Sequence, residues 1–172
     1  ENSDAILTDI MIIDNEAVSG GGMRLDYSNA ILNDIIIDNN KADYGAGIRI
    51  DFSNNPILTN VTITNNIAEN NGGGMNLSDT HPIITSSIIN NNTAEHGGGL
   101  YLNNSNPNLT DMSINNNTGS YGGGIKLYYS NPSLSDVSIN NNSAVEGGGL
   151  SLFESNPILE NITIDNNTAT KG

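Results

Sequence analysis

Gly97-Gly98-Gly99-Leu100-Tyr101-Leu102 is a block to which the chain keeps returning. The same block stands at Gly20-Gly21-Gly22-Met23-Arg24-Leu25, Gly72-Gly73-Gly74-Met75-Asn76-Leu77, Gly122-Gly123-Gly124-Ile125-Lys126-Leu127 and Gly147-Gly148-Gly149-Leu150-Ser151-Leu152. Gly45-Ala46-Gly47-Ile48-Arg49-Ile50 is the same block with one Ala. Gly99 to Gly124 is 25 residues, and Gly124 to Gly149 is 25 again. A fixed period of this length marks a stacked repeat, and it sets the architecture more firmly than chain length does.

Aligning the blocks gives one repeat domain over residues 1–172, with seven coils beginning near 3, 28, 53, 80, 105, 130 and 155. Glu1 and Asn2 fill the end of a preceding coil, and the seventh coil stops at Gly172, the first glycine of its block. The third coil carries two extra residues, near Asn54-Asn55 and near Asn70-Asn71, both read as turn positions where added length is tolerated.

Within a coil the apolar residues keep fixed columns. Leu100 and Leu102, or Ile125 and Leu127, alternate after the glycines, which is the signature of a strand with one buried face. Ser-Asn-Pro at 105–107, 130–132 and 155–157 marks a turn. Leu109, Leu134 or Leu159 follows, then a second alternating pair such as Met112 and Ile114. An Asn-Asn pair and a small residue such as Ala94 lead back into the glycines. No 3.6-residue periodicity is present, and Gly, Asn and β-branched residues dominate.

Short strands, no helices and a period near 25 predict an all-β, right-handed, single-stranded parallel β-helix, a solenoid of about three strands per coil. Seven coils stacked at about 4.8 Å make a rod roughly 34 Å long. The second Asn of each pair, at Asn40, Asn66, Asn92, Asn117, Asn142 and Asn167, is expected to form a ladder of stacked amides at a bend. The Asn columns also tolerate left-handed backbone angles, and the glycines supply positive φ and close packing.

The pattern Asn-Asn-x-Ala followed by Gly-Gly-Gly-[Ile/Leu/Met]-x-Leu resembles the β-helix repeats of secreted bacterial surface proteins. It is similar to the polymorphic outer-membrane protein repeats of chlamydiae, with Ile114-Asn115-Asn116-Asn117 standing where those have Phe-x-x-Asn, and Gly where they have Ala. The resemblance covers the whole chain. It implies an extracellular or cell-surface passenger, often adhesive. The same coil also underlies pectate-lyase-like enzymes.

Nineteen acidic and 5 basic residues give a formal charge of -14, which argues against nucleic acid or an anionic membrane as partner. Cysteine is absent, so disulfides and thiolate metal sites are excluded. The longest aliphatic run, Ile10 to Ile13, is far too short for a membrane span.

Asp9, Asp34, Asp111 and Asp136 share one column. Neighbouring carboxylates about 4.8 Å apart repel by roughly 1 kcal/mol even in water, which invites Ca²⁺. A solvated acidic stripe is the plainer alternative. Tyr27, Phe52 and Tyr129 share a second column, Tyr128 and Phe153 the adjacent one, and Tyr101 the same strand. These six are candidate glycan contacts, with half-buried packing at a turn as the alternative. Arg24 and Arg49 stack two residues before Asp26 and Asp51, a surface charge balance. His81 and His96 fall in different columns, with no partner fixed by the repeat. The column Ile6, Ile31, Ile57, Ile83 and Ile158 is expected to point outward, under a turn or as an apolar contact face. Thr8, Thr59, Thr85 and Thr110 raise ice binding, but Asn33, Ser135 and Glu160 break the row.

The expected role is non-catalytic, a rigid adhesive stalk or fibre, with polysaccharide as ligand and flanking coils or end-to-end copies as partners. The alternative is a pectate-lyase-like enzyme or a glycan-binding module.

Overall fold

A computed structural model describes residues 4–171, so the expectations that fall on Glu1, Asn2, Ser3 and Gly172 lie outside the described residues. Every regular element is a strand, and every pairing is parallel. Three sheets run the length of the molecule. Sheet A takes the long strands, such as Ile83–Asn90, Asn108–Asn115 and Ser133–Asn140. Sheet B takes the four-residue strands before the glycines, such as Thr93–His96 and Thr118–Tyr121. Sheet C takes those after them, such as Leu100–Asn103, Ile125–Tyr128 and Leu150–Phe153.

The register follows the repeat. Leu100 pairs with Ile125 and Ile125 with Leu150 in sheet C, while Ile89, Ile114 and Ile139 align in sheet A. Because a strand shows alternate residues to opposite faces, this alignment collects every inward Leu and Ile into one core. Leu32, Ile63, Met75, Leu100, Ile125 and Ile139 are among its fully buried members.

Three corners turn the coil, and each has its own device. Between sheets A and B the two asparagines divide the work. The first, such as Asn116 at φ 53°, takes the left-handed conformation, and the second is buried. Asn117 Oδ1 accepts from Asn92 N at 2.9 Å, and Asn142 Oδ1 accepts from Asn117 N at 2.8 Å. The ladder begins one coil earlier than expected, at Asn15, whose N donates to Asn40 Oδ1. Between sheets B and C only the first glycine has positive φ, as Gly122 does at 71°. The second glycine is required by space: a Cβ on Gly123 would stand 2.4 Å from Ser143 O. Between sheets C and A a second ladder runs through hydroxyls. Ser105 N donates to Ser130 Oγ and Ser130 N to Ser155 Oγ, both at 3.0 Å. The Ser-Asn-Pro turn signal therefore carries a stacked bond network as well.

Left-handed backbone is more widespread than the Asn columns predict. Asp9, Asp34, Asn60, Ser86, Asp111 and Asp136, in the middle of the sheet A strands, and Asn161, between the strands Ile158–Glu160 and Thr163–Asp165, all have φ between 49° and 56°. Each shifts the alternation by one residue, which is why Leu109 and Met112, three apart, both point inward. One expectation needs correction. The insertion at Asn70-Asn71 is not in a turn; it lengthens the sheet B strand Ile67–Asn71 and shifts its register as a bulge. The insertion at Asn54-Asn55 does fall between strands.

Candidate functional site

In the fourth to sixth coils sheets B and C meet at a corner of three glycines, which have no side chains to fill the angle. The last residues of the sheet B strands, His96 and Tyr121, pair in register. Five residues on from each, the outward side chains of sheet C are Tyr101 and Lys126, also in register. The two columns converge across the corner. With Tyr128 and Phe153 they line a groove of about 350 Å³ over the fourth to sixth coils.

Stacking along the axis orders the groove. The His96 and Tyr121 rings stack at 4.9 Å and 17°, and those of Tyr128 and Phe153 at 5.0 Å and 16°. Tyr101 lies 6.2 Å from His96, centroid to centroid. Lys126 Nζ donates to Ser151 Oγ at 2.9 Å. Burial raises the Tyr101 hydroxyl's pKa and lowers that of Lys126, against the pull of Glu146. Burial also lowers His96, against Glu95. The site thus offers ring surface, an imidazole, a tyrosine hydroxyl and one ammonium in a half-exposed cleft, the composition of a small-ligand site.

Of the six aromatic candidates, the structure brings Tyr101, Tyr128 and Phe153 together, with Tyr129 edge-on to Tyr128 at 4.5 Å and to Phe153 at 5.5 Å. Tyr27 and Phe52 form a separate stack at 5.3 Å in the first two coils. Asp79 and Asn104, hydrogen-bonded to each other, occupy the column between the two groups. His96, Tyr121 and Lys126 were not legible as a set, because the repeat fixes columns within a strand and says nothing about which columns face each other. The available signal was position: His96 and Tyr121 each stand immediately before a glycine block, 25 residues apart.

The Tyr27, Phe52 and Tyr129 column is strained. All three are left-handed, at φ 51°, 52° and 48°, and remain 59%, 50% and 45% exposed. That conformation costs roughly 1–2 kcal/mol for each bulky residue. A single ring stack returns about 0.5–1.5 kcal/mol. Asp79 and Asn104 hold the same corner with residues that prefer it, whereas Glu154, at φ 45° beside Tyr129, holds it without that preference.

The acidic column lies on sheet A, away from the arginines on sheet C. Asp34 accepts from Asn60, Asp111 from Ser86 at 2.9 Å and Asp136 from Asn161 at 3.3 Å. Asp111 and Asp136 border a cleft with Ser86, Ser113 and Ser138, the set of oxygens a hard cation would use. Among the described residues, no three His, Asp or Glu side chains converge as a metal group. Arg24 and Arg49 pair with Asp26 at 2.9 Å and Asp51 at 2.6 Å. Asp51 is buried, which raises its pKa against the pull of Arg49. Of the outward Ile column, Ile6, Ile57, Ile83 and Ile158 are exposed and Ile31 is half-buried. The left-handed residue within each sheet A strand bends that face, which disfavours the flat array of an ice-binding surface. No helix among the described residues is long and apolar enough to cross a membrane.

A family model described as right handed beta helix region matches residues 36–172. The winding sense agrees with that expected of parallel crossovers. No curated protein and no solved structure matches the chain.

Proposed function

We infer that this chain, which belongs to the right-handed β-helix family over residues 36–172, is a non-catalytic surface solenoid that holds polysaccharide against the groove of its fourth to sixth coils. The groove carries the reading. Aromatic rings offer apolar faces for the C–H surface of sugars, while His96, Lys126 and the Tyr101 hydroxyl supply the few placed polar groups that fix orientation. An extracellular or cell-surface location, a rigid stalk or end-to-end fibre, and kinship to chlamydial surface repeats belong to the same proposal. So does calcium at Asp9, Asp34, Asp111 and Asp136, for which a rise in Tm with calcium that is lost in Asp111→Asn and Asp136→Asn is the check.

The test of the groove is calorimetric titration with a panel of soluble polysaccharides. Tyr101→Ala and Tyr128→Ala should each lower affinity about tenfold or more, as removal of a stacking partner does elsewhere. Binding that ignores both variants would sink the reading.

A polysaccharide-active enzyme is the second reading, favoured by one observation. Lys126 stands in register with Tyr101 in the groove, and burial lowers the pKa of Lys126 and of His96, which favours a proton acceptor there. Turnover of any polymer in the panel, abolished by Lys126→Met with binding retained, would favour it over the scaffold.

A further inference from the structure

The proposal that follows rests on the groove reading and extends it to the whole length of the molecule. We propose that the solenoid takes an extended, unbranched, uncharged polysaccharide laid parallel to its axis. Two aromatic stations grip it: Tyr27 with Phe52 in the first two coils, and Tyr128, Tyr129 and Phe153 in the fifth and sixth.

Three observations carry it. First, the stations are collinear. Tyr27, Phe52 and Tyr129 occupy one column of equivalent corner positions, so a straight polymer along that column meets both. Phe52 and Tyr129 are three coil rises apart, about 14 Å. The positions between them carry Asp79 and Asn104, with Ser78 and Asn103 in the adjacent column, hydrogen-bonding groups suited to sugar hydroxyls. Second, the rings are held where the backbone disfavours them. Tyr27, Phe52 and Tyr129 are left-handed and half exposed, in a column where Asp or Asn would fit without strain. Strain retained at an exposed aromatic points to use of that ring. Third, the charge pattern selects an uncharged chain. Arg24 and Arg49 beside the first station are each paired with a carboxylate two residues on. Arg49 is held further by Ser19 and lies over the Tyr44 ring. Lys126 is the one cation of the groove, bonded to Ser151 and opposed by Glu146; with both arginines paired and a formal charge of -14, a polyanion would be repelled along the rest of the track.

Two stations on one ligand make binding depend on length. An oligosaccharide that reaches only one station gains one contact, whereas a chain spanning both gains the second as an intramolecular event. The experiment is a length series, from disaccharide to decasaccharide, of oligosaccharides from cellulose, xylan, mannan and chitin. It is titrated calorimetrically into the wild type and into Tyr27→Asn/Phe52→Asn. Asparagine is chosen because Asn104 already holds the same corner left-handed, and a Tm at or above that of the wild type confirms the fold.

For any series that binds, affinity should rise about tenfold or more once the chain spans the gap, and the double variant should return long chains to short-chain affinity. Equal affinity across lengths, or a double variant that binds long chains as the wild type does, overturns the proposal and leaves the groove reading standing. Tighter binding of polygalacturonate than of every neutral series overturns the charge argument, and the proposal with it. Failure of every polymer to bind overturns the groove reading and this proposal together.

Discussion

Asn117→Ala tests the amide ladder where it is most enclosed. The Asn117 side chain is fully buried and makes four hydrogen bonds that alanine cannot. Its Oδ1 accepts from Asn92 N at 2.9 Å and Asn92 Nδ2 at 3.1 Å, and its Nδ2 donates to Ile89 O and Asn142 Oδ1, both at 3.0 Å. Truncation leaves the buried Asn92 backbone N–H without that acceptor, costing about 1–3 kcal/mol. The three other bonds are worth about 1 kcal/mol each, so the total loss is about 4–6 kcal/mol. That is a large part of the roughly 5–15 kcal/mol that holds a typical domain together. Asn116→Ala, one residue earlier, is the control. Asn116 is exposed and left-handed, with one bond to Asn90, so its loss should be about 2–3 kcal/mol, about 1 from the bond and about 1–2 from holding alanine left-handed. The assay is urea unfolding followed by circular dichroism and by tyrosine fluorescence. Two probes are needed because stacked repeats can open in part. Hydrogen exchange should place the loss in the fourth to sixth coils. A loss for Asn117→Ala below about 1 kcal/mol, or one equal to Asn116→Ala, would refute the claim that buried amides hold the corner.

Further outcomes follow from the corners and the groove. Gly123→Ala would press a Cβ to 2.4 Å from Ser143 O and 2.5 Å from Gly148 O, so thermal unfolding should show destabilisation of about 3 kcal/mol or more. Gly119→Ala should be tolerated. Its column neighbours are Ala94 and Ala144, the new Cβ meets backbone at Gly122 O 3.0 Å and Gly98 N 3.3 Å, and that crowding offsets the entropic gain, so stability read from Tm should change by no more than about 1 kcal/mol. His96 is lowered by burial from the ordinary 6.5, so the unfolded chain binds its proton more readily than the folded one. Its contribution is intact above about pH 6.5 and is lost as pH falls through that value toward the lower folded one. In a Tm against pH series, His96→Asn should therefore lose less stability over that interval than the wild type.

The fold was legible because a parallel solenoid writes its register directly into the period: residues 25 apart become neighbours. The buried amide column was legible for the same reason, since Asn40 through Asn167 recur every 25 or 26 residues. Two things were less so. The left-handed residue within each sheet A strand left a trace, the three-residue step from Leu109 to Met112 where strict alternation requires two. The groove left almost none. Its walls belong to different sheets, and the angle that turns His96 toward Tyr101 is made by three glycines with no side chains to mark its direction. Acidic residues were easy to align and aromatic ones easy to count, but facing across a corner is a property of the turn.

The stacking direction also fixes how the molecule responds to being pulled. The backbone bonds between coils, such as Leu100 N to Gly124 O at 2.9 Å, join each coil to the next along the long axis. Tension between the two ends therefore falls on one coil boundary at a time and peels rather than shears. Each coil that lets go turns a rise of about 4.8 Å into about 80–90 Å of extended chain. The coil left behind still offers its open strand edges as a template for rewinding. Such a rod yields in equal steps under force and recoils when slack returns, as a spring of finite and countable reserves.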